Sequence, residues 1–370
     1  MTARQPGRWR LLDTGLRGAA ENIALNRTLL EAHQEGHGPH TLRFLRFSPS
    51  ALVGFHQSVC RELREDYCRS AGIEIQRRIT GGGAIYFDEA QLGWELYLDK
   101  AALGSADMRA IAARICEAAA AGLRGLGVDA RFRPRNDIEV DGRKISGTGG
   151  AFDGDSLLYQ GTVLIDFDVE RMLRVLRVPA EKLSDKAVRS ARERVTSLRE
   201  LLGRTPPVEE VRRCLTGAFA DAFGVSFEAG GLTAHEEAKF RDVHAEIATP
   251  EWVYQHNEPG AGTPVREGVH RARGGLLRAR IRLDAGGGRV TQAWITGDFF
   301  VSPARMVPDL EAALKDTPCA QVRARVEAFF ADYPVQMLHL APADFADVLD
   351  KSLAAPPGAG DLVAEAGSGG

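Results

Sequence analysis

The chain is 370 residues long, 44% hydrophobic and 26% charged, with a formal net charge of −3. That length accommodates two domains, or one large domain with an appendage, and the near-neutral balance excludes the strongly basic surface of a general nucleic-acid binder. No apolar run reaches the ~18 residues of a membrane span, the N-terminal stretch lacks an apolar leader, and five scattered cysteines form no CxxC pair. The expectation is a cytoplasmic enzyme with reduced thiols, acting without nucleic acid or membrane, and no metal site is expected among its nine histidines.

In chain order, Ala20, Ile23, Ala24, Leu29, Leu30 and Ala32 predict a helix over residues 17–35 with one face on a core. Leu42, Phe44, Leu45 and Phe47 predict a strand over 40–47, followed by a short strand at 51–55 and a helix over 60–71. Ile73-Glu74-Ile75 then leads into Gln76-Arg77-Arg78-Ile79-Thr80-Gly81-Gly82-Gly83-Ala84-Ile85-Tyr86-Phe87-Asp88. The three glycines read as a turn between strands, and the alternation of Leu92, Trp94, Leu96 and Leu98 as the strand that pairs back after it. A helix is expected over 108–126, a hairpin of 137–140 and 144–147 across Asp141-Gly142, an apolar run over 157–167, and helices over 169–176, 189–202 and 208–223. Strands with interspersed helices, without regular βαβ alternation, predict an α+β fold with a mixed or antiparallel sheet.

Residues 258–264, rich in Gly and Pro, read as a linker. Beyond it a hairpin of 276–283 and 289–295, then helices over 309–315, 320–333 and 342–353, predict a small α+β domain. The expected organisation is therefore a catalytic domain over 1–258, an accessory domain over 265–353 and a disordered tail over 354–370.

Two stretches carry chemistry. A run without side chains lets backbone N–H groups approach an anion closely, and paired arginines hold phosphate or carboxylate through planar forks. The same residues also suit a tight turn with two solvated arginines. The second stretch, Arg135-Asn136-Asp137 through Gly142-Arg143-Lys144-Ile145-Ser146-Gly147, sets a lysine beside small residues. There it can offset charge on a phosphate or acyl oxygen without blocking backbone approach; alternatively it is a surface hairpin with a solvated lysine.

Together these residues resemble the lipoate–protein ligases of the biotin/lipoate protein ligase superfamily. The run Arg77-Arg78-x-Thr80-Gly81-Gly82-Gly83-Ala84-Ile85-Tyr86-x-Asp88 looks like the family's RRxSGGGAVxHD signature, and Arg135–Gly147 like its RND…GxKxSG block. Val53-Gly54-x-x-Gln57, Val188–Leu198 and Glu251-Trp252-Val253-Tyr254 are similar to further elements, in order, across roughly residues 8–255. The remainder resembles the ligases' C-terminal accessory domain more loosely. Two positions depart from the pattern: Thr148-Gly149-Gly150 stands where the family has Ser-Ala, and Tyr159-Gln160-Gly161-Thr162 where it has His-Gly-Thr.

The resemblance implies an ATP- and Mg2+-dependent enzyme that joins lipoate or octanoate to AMP, then passes the acyl group to a lysine of a lipoyl-domain carrier protein. Lys144 and Asp137 would be catalytic. Arg77, Arg78, Gly81, Gly82, Gly83, Ala84, Ile85, Tyr86, Asn136, Lys144 and Arg194 would hold the nucleotide. Arg77, Gly82, Lys144, Ser146, Gly147, Gln160 and Gly161 would hold the acid. Arg192 and Arg194 would lie in a loop closing over the adenylate, and a monomer is expected. Phe44, Leu52, Phe55 and Tyr86 fit either an acyl tunnel or ordinary core packing.

The nearest rival is an octanoyltransferase of the same fold, which takes its acyl group from a carrier without ATP and uses a cysteine nucleophile. In the amidotransferase type that cysteine lies shortly before the lysine hairpin, where this chain has Arg131-Phe132-Arg133-Pro134-Arg135; Cys116 and Cys214 read as small buried apolar residues. A biotin ligase would carry a Gly-Arg-Gly-Arg loop, which is absent. A non-catalytic module keeping the fold is the remaining alternative.

Overall fold

The structure, a computed structural model, describes residues 7–103, 108–134, 137–177, 191–256 and 265–358. Asn136, with Arg135, lies outside the described residues, as do the expected linker at 258–264 and the tail from 359. The chain forms two compact units. The larger takes Met1–Val53, Cys60–Ile79 and Ala84–Val253; the smaller takes Gly54–Val59, Thr80–Gly83 and Tyr254–Gly370. The glycine run thus groups with the C-terminal residues.

In the larger unit the strands are β1 (Gly7–Arg17), β2 (Thr41–Phe47), β3 (Ser50–Val53), β4 (Glu74–Arg77), β5 (Ile85–Phe87), β6 (Gln91–Asp99), β7 (Arg131–Arg133), β8 (Asp137–Val140), β9 (Arg143–Asp153), β10 (Ser156–Leu164) and β11 (Val225–Ala229). Eight of them form a mixed sheet in the order β11-β1-β2-β6-β10-β9-β8-β7. Its β11–β1–β2 pairings are parallel and the others antiparallel. The α+β expectation, with a mixed sheet flanked by helices, is borne out.

One face of this sheet packs on the helices Met108–Arg124 and Val208–Phe223 around Trp94, Ile115, Ile138, Leu157 and Phe219. Those helices approach closely, because a Cβ on Gly122 would meet Leu215 Cα at 2.9 Å. Towards the helix Ala19–Gln34 the sheet carries a fully buried Arg43. Arg43 bonds Glu95 at 2.9 Å and Asn22 at 2.7 Å, and Tyr97 Oη donates to the same Glu95 at 2.6 Å. A buried charge set among that many partners fixes the helix on the sheet.

Two expectations fail here. The glycine run is no hairpin turn: β4 and β5 lie on opposite sides of β3, β4 parallel and β5 antiparallel to it. The run is a connection that crosses β3. Leu92–Leu98 does not pair back on it either, because β6 sits in the large sheet between β2 and β10. The expected 189–202 helix is interrupted: among the described residues 191–192 are helical, 193–197 are not, and Leu198–Leu202, capped by Ser197, is helical again.

In the smaller unit β12 (Arg266–Ala272), β13 (Gly275–Leu283) and β14 (Val290–Gly297) form an antiparallel sheet, and β15 (Val301–Ser302) pairs with β16 (Gln336–Met337). Helices Met306–Ala313, Val322–Asp332 and Pro342–Ala354 bury Leu277, Ala279, Ile281, Phe299 and Phe345 in its own core. The glycine run packs here. Gly82 N donates to Phe299 O at 3.3 Å, and Gly82 takes a φ of +92°, a conformation that favours glycine. Among the described residues no helix is long and apolar enough to cross a membrane.

Candidate active site

The lysine hairpin forms as its sequence predicts. Val140 faces Arg143, leaving Asp141 and Gly142 as a two-residue turn with φ of 50° and 75°. Both values are positive, as such a turn demands. A bulge follows: Ile138 faces Ser146 but Glu139 faces Lys144, so Ile145 is the extra residue.

The Lys144 side chain lies over Gly147, where an added Cβ would stand 2.8 Å from both Cε and Nζ. Its ammonium reaches Asp137, which pairs with Gly147 across the ladder, and forms an ion pair at 2.6 Å. The lysine side chain is 40% exposed, so the cation is neutralised on one side and open on another. β10 pairs with β9 only from Thr148 onward, and the backbone of Lys144 finds other partners. Its N–H donates to Arg194 O at 2.8 Å, and its carbonyl accepts from Thr196 N at 2.9 Å. The downstream segment is thereby brought to the lysine, with the Arg194 side chain exposed and Arg192 paired to Glu170.

The two motif departures meet on the opposite face of the sheet. Thr148 Oγ1 lies 3.0 Å from Tyr159 Oη, and Cys116 Sγ lies 3.4 and 3.3 Å from these two hydroxyls. Burial holds the Cys116 thiol and, more strongly, the Tyr159 phenol above their ordinary pKa values. Ser146 is fully buried, and Gly161 lies beneath the indole of Trp94. Gln160, between Tyr159 and Gly161, faces the other way, opposite Gly149 and Glu95. Of the residues expected at the acid, the structure therefore gathers Lys144 and Gly147 with Asp137. Gln160 is half-buried on the face that also carries Glu95, whereas Ser146 and Gly161 turn into the core under the helices Met108–Arg124 and Val208–Phe223. Phe44 and Leu52 are core residues as well.

Arg77 ends β4 and Arg78 follows it. Neither is a solvated surface group. Arg77 is fully buried, and its Nε and one terminal nitrogen donate to Val253 O at 3.0 and 2.8 Å, with a 3.2 Å bond from Nε to Trp252 O. Arg78 donates from a terminal nitrogen to Leu52 O at 3.0 Å. Burial, and for Arg77 the adjacent Arg78, pushes the guanidinium groups down to about 9 and about 10, so both remain cations at neutral pH. Tyr86 is buried in β5 with Arg171 5.5 Å from its ring, and burial raises its phenol pKa. Sequence reasoning missed the partnership of Cys116 with the hydroxyls of Thr148 and Tyr159, and the helix-end carbonyls that hold Arg77. Single residues far apart in the chain carry no periodic signal for either.

The hairpin thus presents a half-open lysine with one carboxylate partner, while the buried arginines hold backbone carbonyls at the β3–β4 ladder. The family profile of the lipoyl protein ligase A/B catalytic domain matches residues 18–220. Octanoyltransferase LipM of Kyrpidia tusciae is 31% identical over 67% of this chain and 98% of its own length. The bipartite lipoate protein ligase of Thermoplasma acidophilum, solved in a study that includes its E2 lipoyl domain, superposes with a TM-score of 0.62 at 29% identity, over 70% of this chain and 100% of that one. A lipoate-protein ligase A bound with ATP gives 0.59 at 28%, over 68% and 99%. The chain belongs to the lipoyl protein ligase A/B catalytic-domain family.

Proposed function

We propose that this chain is an ATP-dependent lipoate–protein ligase. In the first step a carboxylate oxygen of lipoate or octanoate attacks the α-phosphorus of ATP; the bond to the β-phosphate breaks, and pyrophosphate leaves. The Lys144 ammonium offsets charge on the α-phosphate and acyl oxygens, and Asp137 holds it in place. Gly147 leaves room for that side chain. Arg78 and Arg194, further cations of the same unit, are assigned to the nucleotide's phosphates. In the second step the neutral ε-amine of a lysine on a lipoyl-domain protein attacks the acyl carbon; AMP departs, and the amine's proton passes to solvent.

Among the described residues no three acidic, histidine or cysteine groups converge to hold a metal. A magnesium ion would accordingly arrive on the nucleotide's phosphates, with the Asp137 carboxylate to meet it, and would supply charge compensation there.

The observation that carries this reading is the half-open Lys144 over Gly147, with no thiol available to it nearby on β9. Cys116, which touches Thr148 on the same strand, is fully buried on the other face and its pKa is raised, the opposite of what a cysteine nucleophile requires. The second reading is octanoyl transfer from a carrier without ATP, favoured by the similarity to octanoyltransferase LipM. Pyrophosphate release with ATP, magnesium and either acid tests the proposal. Release in the wild type that is lost in Lys144→Ala supports it; no release with either acid refutes it.

A further inference from the structure

The two arginines of the glycine motif stand where the chain leaves the larger unit. Three crossings follow Val53, Ile79 and Val253, and the larger unit brings their approaches together. Val53 pairs with Arg77 in the β3–β4 ladder, and Arg78 N donates to Val53 O at 2.9 Å. The Arg77 guanidinium grips Trp252 O and Val253 O, and Trp252 Nε1 returns a bond to Arg77 O at 3.1 Å. One residue earlier, Gln76 Nε2 donates to Ile247 O at 3.1 Å.

These acceptors close the helices Ala234–Ile247 and Pro250–Tyr254. Carbonyls in the last turn of a helix have no partner within it and carry partial negative charge. A buried guanidinium set among them is both solvated and locked. Arg77 thus fixes the end of β4 three residues before Thr80, which opens the glycine run, from two directions at once.

We propose that Arg77 is a positioning residue for the nucleotide loop: it sets the take-off of Thr80–Gly83 by clamping β4 to the Trp252–Val253 carbonyls, and it is not a phosphate ligand. The proposal rests on the ligase reading for its effect on ATP, but the clamp itself is measurable without it. A lysine in its place keeps the charge but has neither the fork nor the reach to bond both carbonyls. Trp252→Phe keeps an aromatic ring, smaller than the indole, and removes the Nε1 donor of the return bond.

Amide hydrogen exchange on the full chain, for wild type, Arg77→Lys, Arg77→Ala and Trp252→Phe, reads the loop directly. The clamp predicts at least ~10-fold faster exchange over Ile79–Ala84 in both arginine variants and a smaller increase in Trp252→Phe, with β6 unchanged. In steady-state adenylation the same three variants should raise the KM for ATP, by ~10-fold for Arg77→Ala and ~3-fold for Trp252→Phe, while the KM for lipoate and kcat stay near wild type. The double variant should be no worse than Arg77→Ala, because both changes break one clamp.

Unchanged exchange over Ile79–Ala84 overturns the proposal. So does a rise in KM for ATP with Arg77→Ala that Trp252→Phe does not share, since that marks a direct phosphate contact. Equal acceleration throughout the unit overturns it too, marking a residue that merely supports the fold. If the wild type releases no pyrophosphate, the ligase reading falls, and the exchange data still decide the clamp.

Discussion

Gly147→Ala separates the position of the lysine from the stability of the fold. A Cβ at this residue would stand 2.8 Å from Lys144 Cε and Nζ, whereas ordinary contact begins near 3.4 Å, so the end of the lysine must retreat by at least about 0.6 Å. Nothing rigid opposes it: the atoms met are the tip of a flexible side chain, and Gly147 does not occupy a positive-φ conformation. Stability should stay within about 0.5 kcal/mol of wild type, because alanine in a strand is if anything preferred to glycine. Activity should not stay. A displacement of ~1 Å in a reacting group costs on the order of 100-fold, so kcat for adenylation should fall by roughly 10-fold or more, about 1.4 kcal/mol in the barrier. Thermal unfolding and pyrophosphate release on the same preparation make the comparison. A variant that melts with the wild type and turns over at the wild-type rate would refute the placement of Lys144 at the reacting phosphate.

Other expectations follow from the same geometry. Gly161→Ala drives a Cβ into the rigid indole of Trp94, so it should cost ~1–3 kcal/mol of stability through overpacking, seen as a lower melting temperature; an unshifted melt contradicts this. Tyr159→Phe removes the hydroxyl shared by Thr148 and Cys116 and should cost ~1–2 kcal/mol in urea unfolding while leaving the KM for lipoate unchanged. A changed KM there would mean that this cluster shapes the acyl site after all. His33 lies 2.6 Å from Ser156 Oγ and 3.0 Å from His40, near Asp99, Arg10 and Glu236, and burial, then His40, pushes it down to about 4 from 6.5. The unfolded chain therefore takes up a proton there before the folded one does. Stability present above pH ~6.5 should be lost as pH falls towards 4, by at most about 3 kcal/mol and by about 1 after screening of this half-buried ring. His33→Gln should flatten that loss between pH 7.5 and 5; an equal loss in the variant removes His33 from the account.

The large helices, the β8–β9 hairpin and the C-terminal hairpin were legible because each carries a local signal: helical spacing over Met108–Arg124, Asp141-Gly142 between extended segments, alternation in β13. β1 was missed because Arg8, Arg10, Asp13 and Gly15 interrupt its apolar residues. The segment from Val225 to Tyr254 had no element assigned to it, although it forms β11 and two helices. The glycine run misled for a different reason. Residue types specify that the chain bends there, but not that its flanking strands lie on opposite sides of β3, which depends on partners supplied from elsewhere in the fold. At the site, Lys144, Asp137 and Gly147 could be named from the motif and do come together. That Ser146 and Gly161 turn into the core depends on the bulge at Ile145 and on the packing of Trp94, neither of which a motif encodes.

The most direct measurement of the central claim follows the acyl group onto a purified lipoyl domain by mass spectrometry, with two donors side by side. One is free lipoate or octanoate with ATP and magnesium; the other is an octanoyl thioester of a carrier protein without nucleotide. The account predicts modification of the acceptor lysine from the free acid, dependent on ATP and abolished by Lys144→Ala, and none from the thioester. Modification from the thioester alone would contradict it and make this chain an octanoyltransferase.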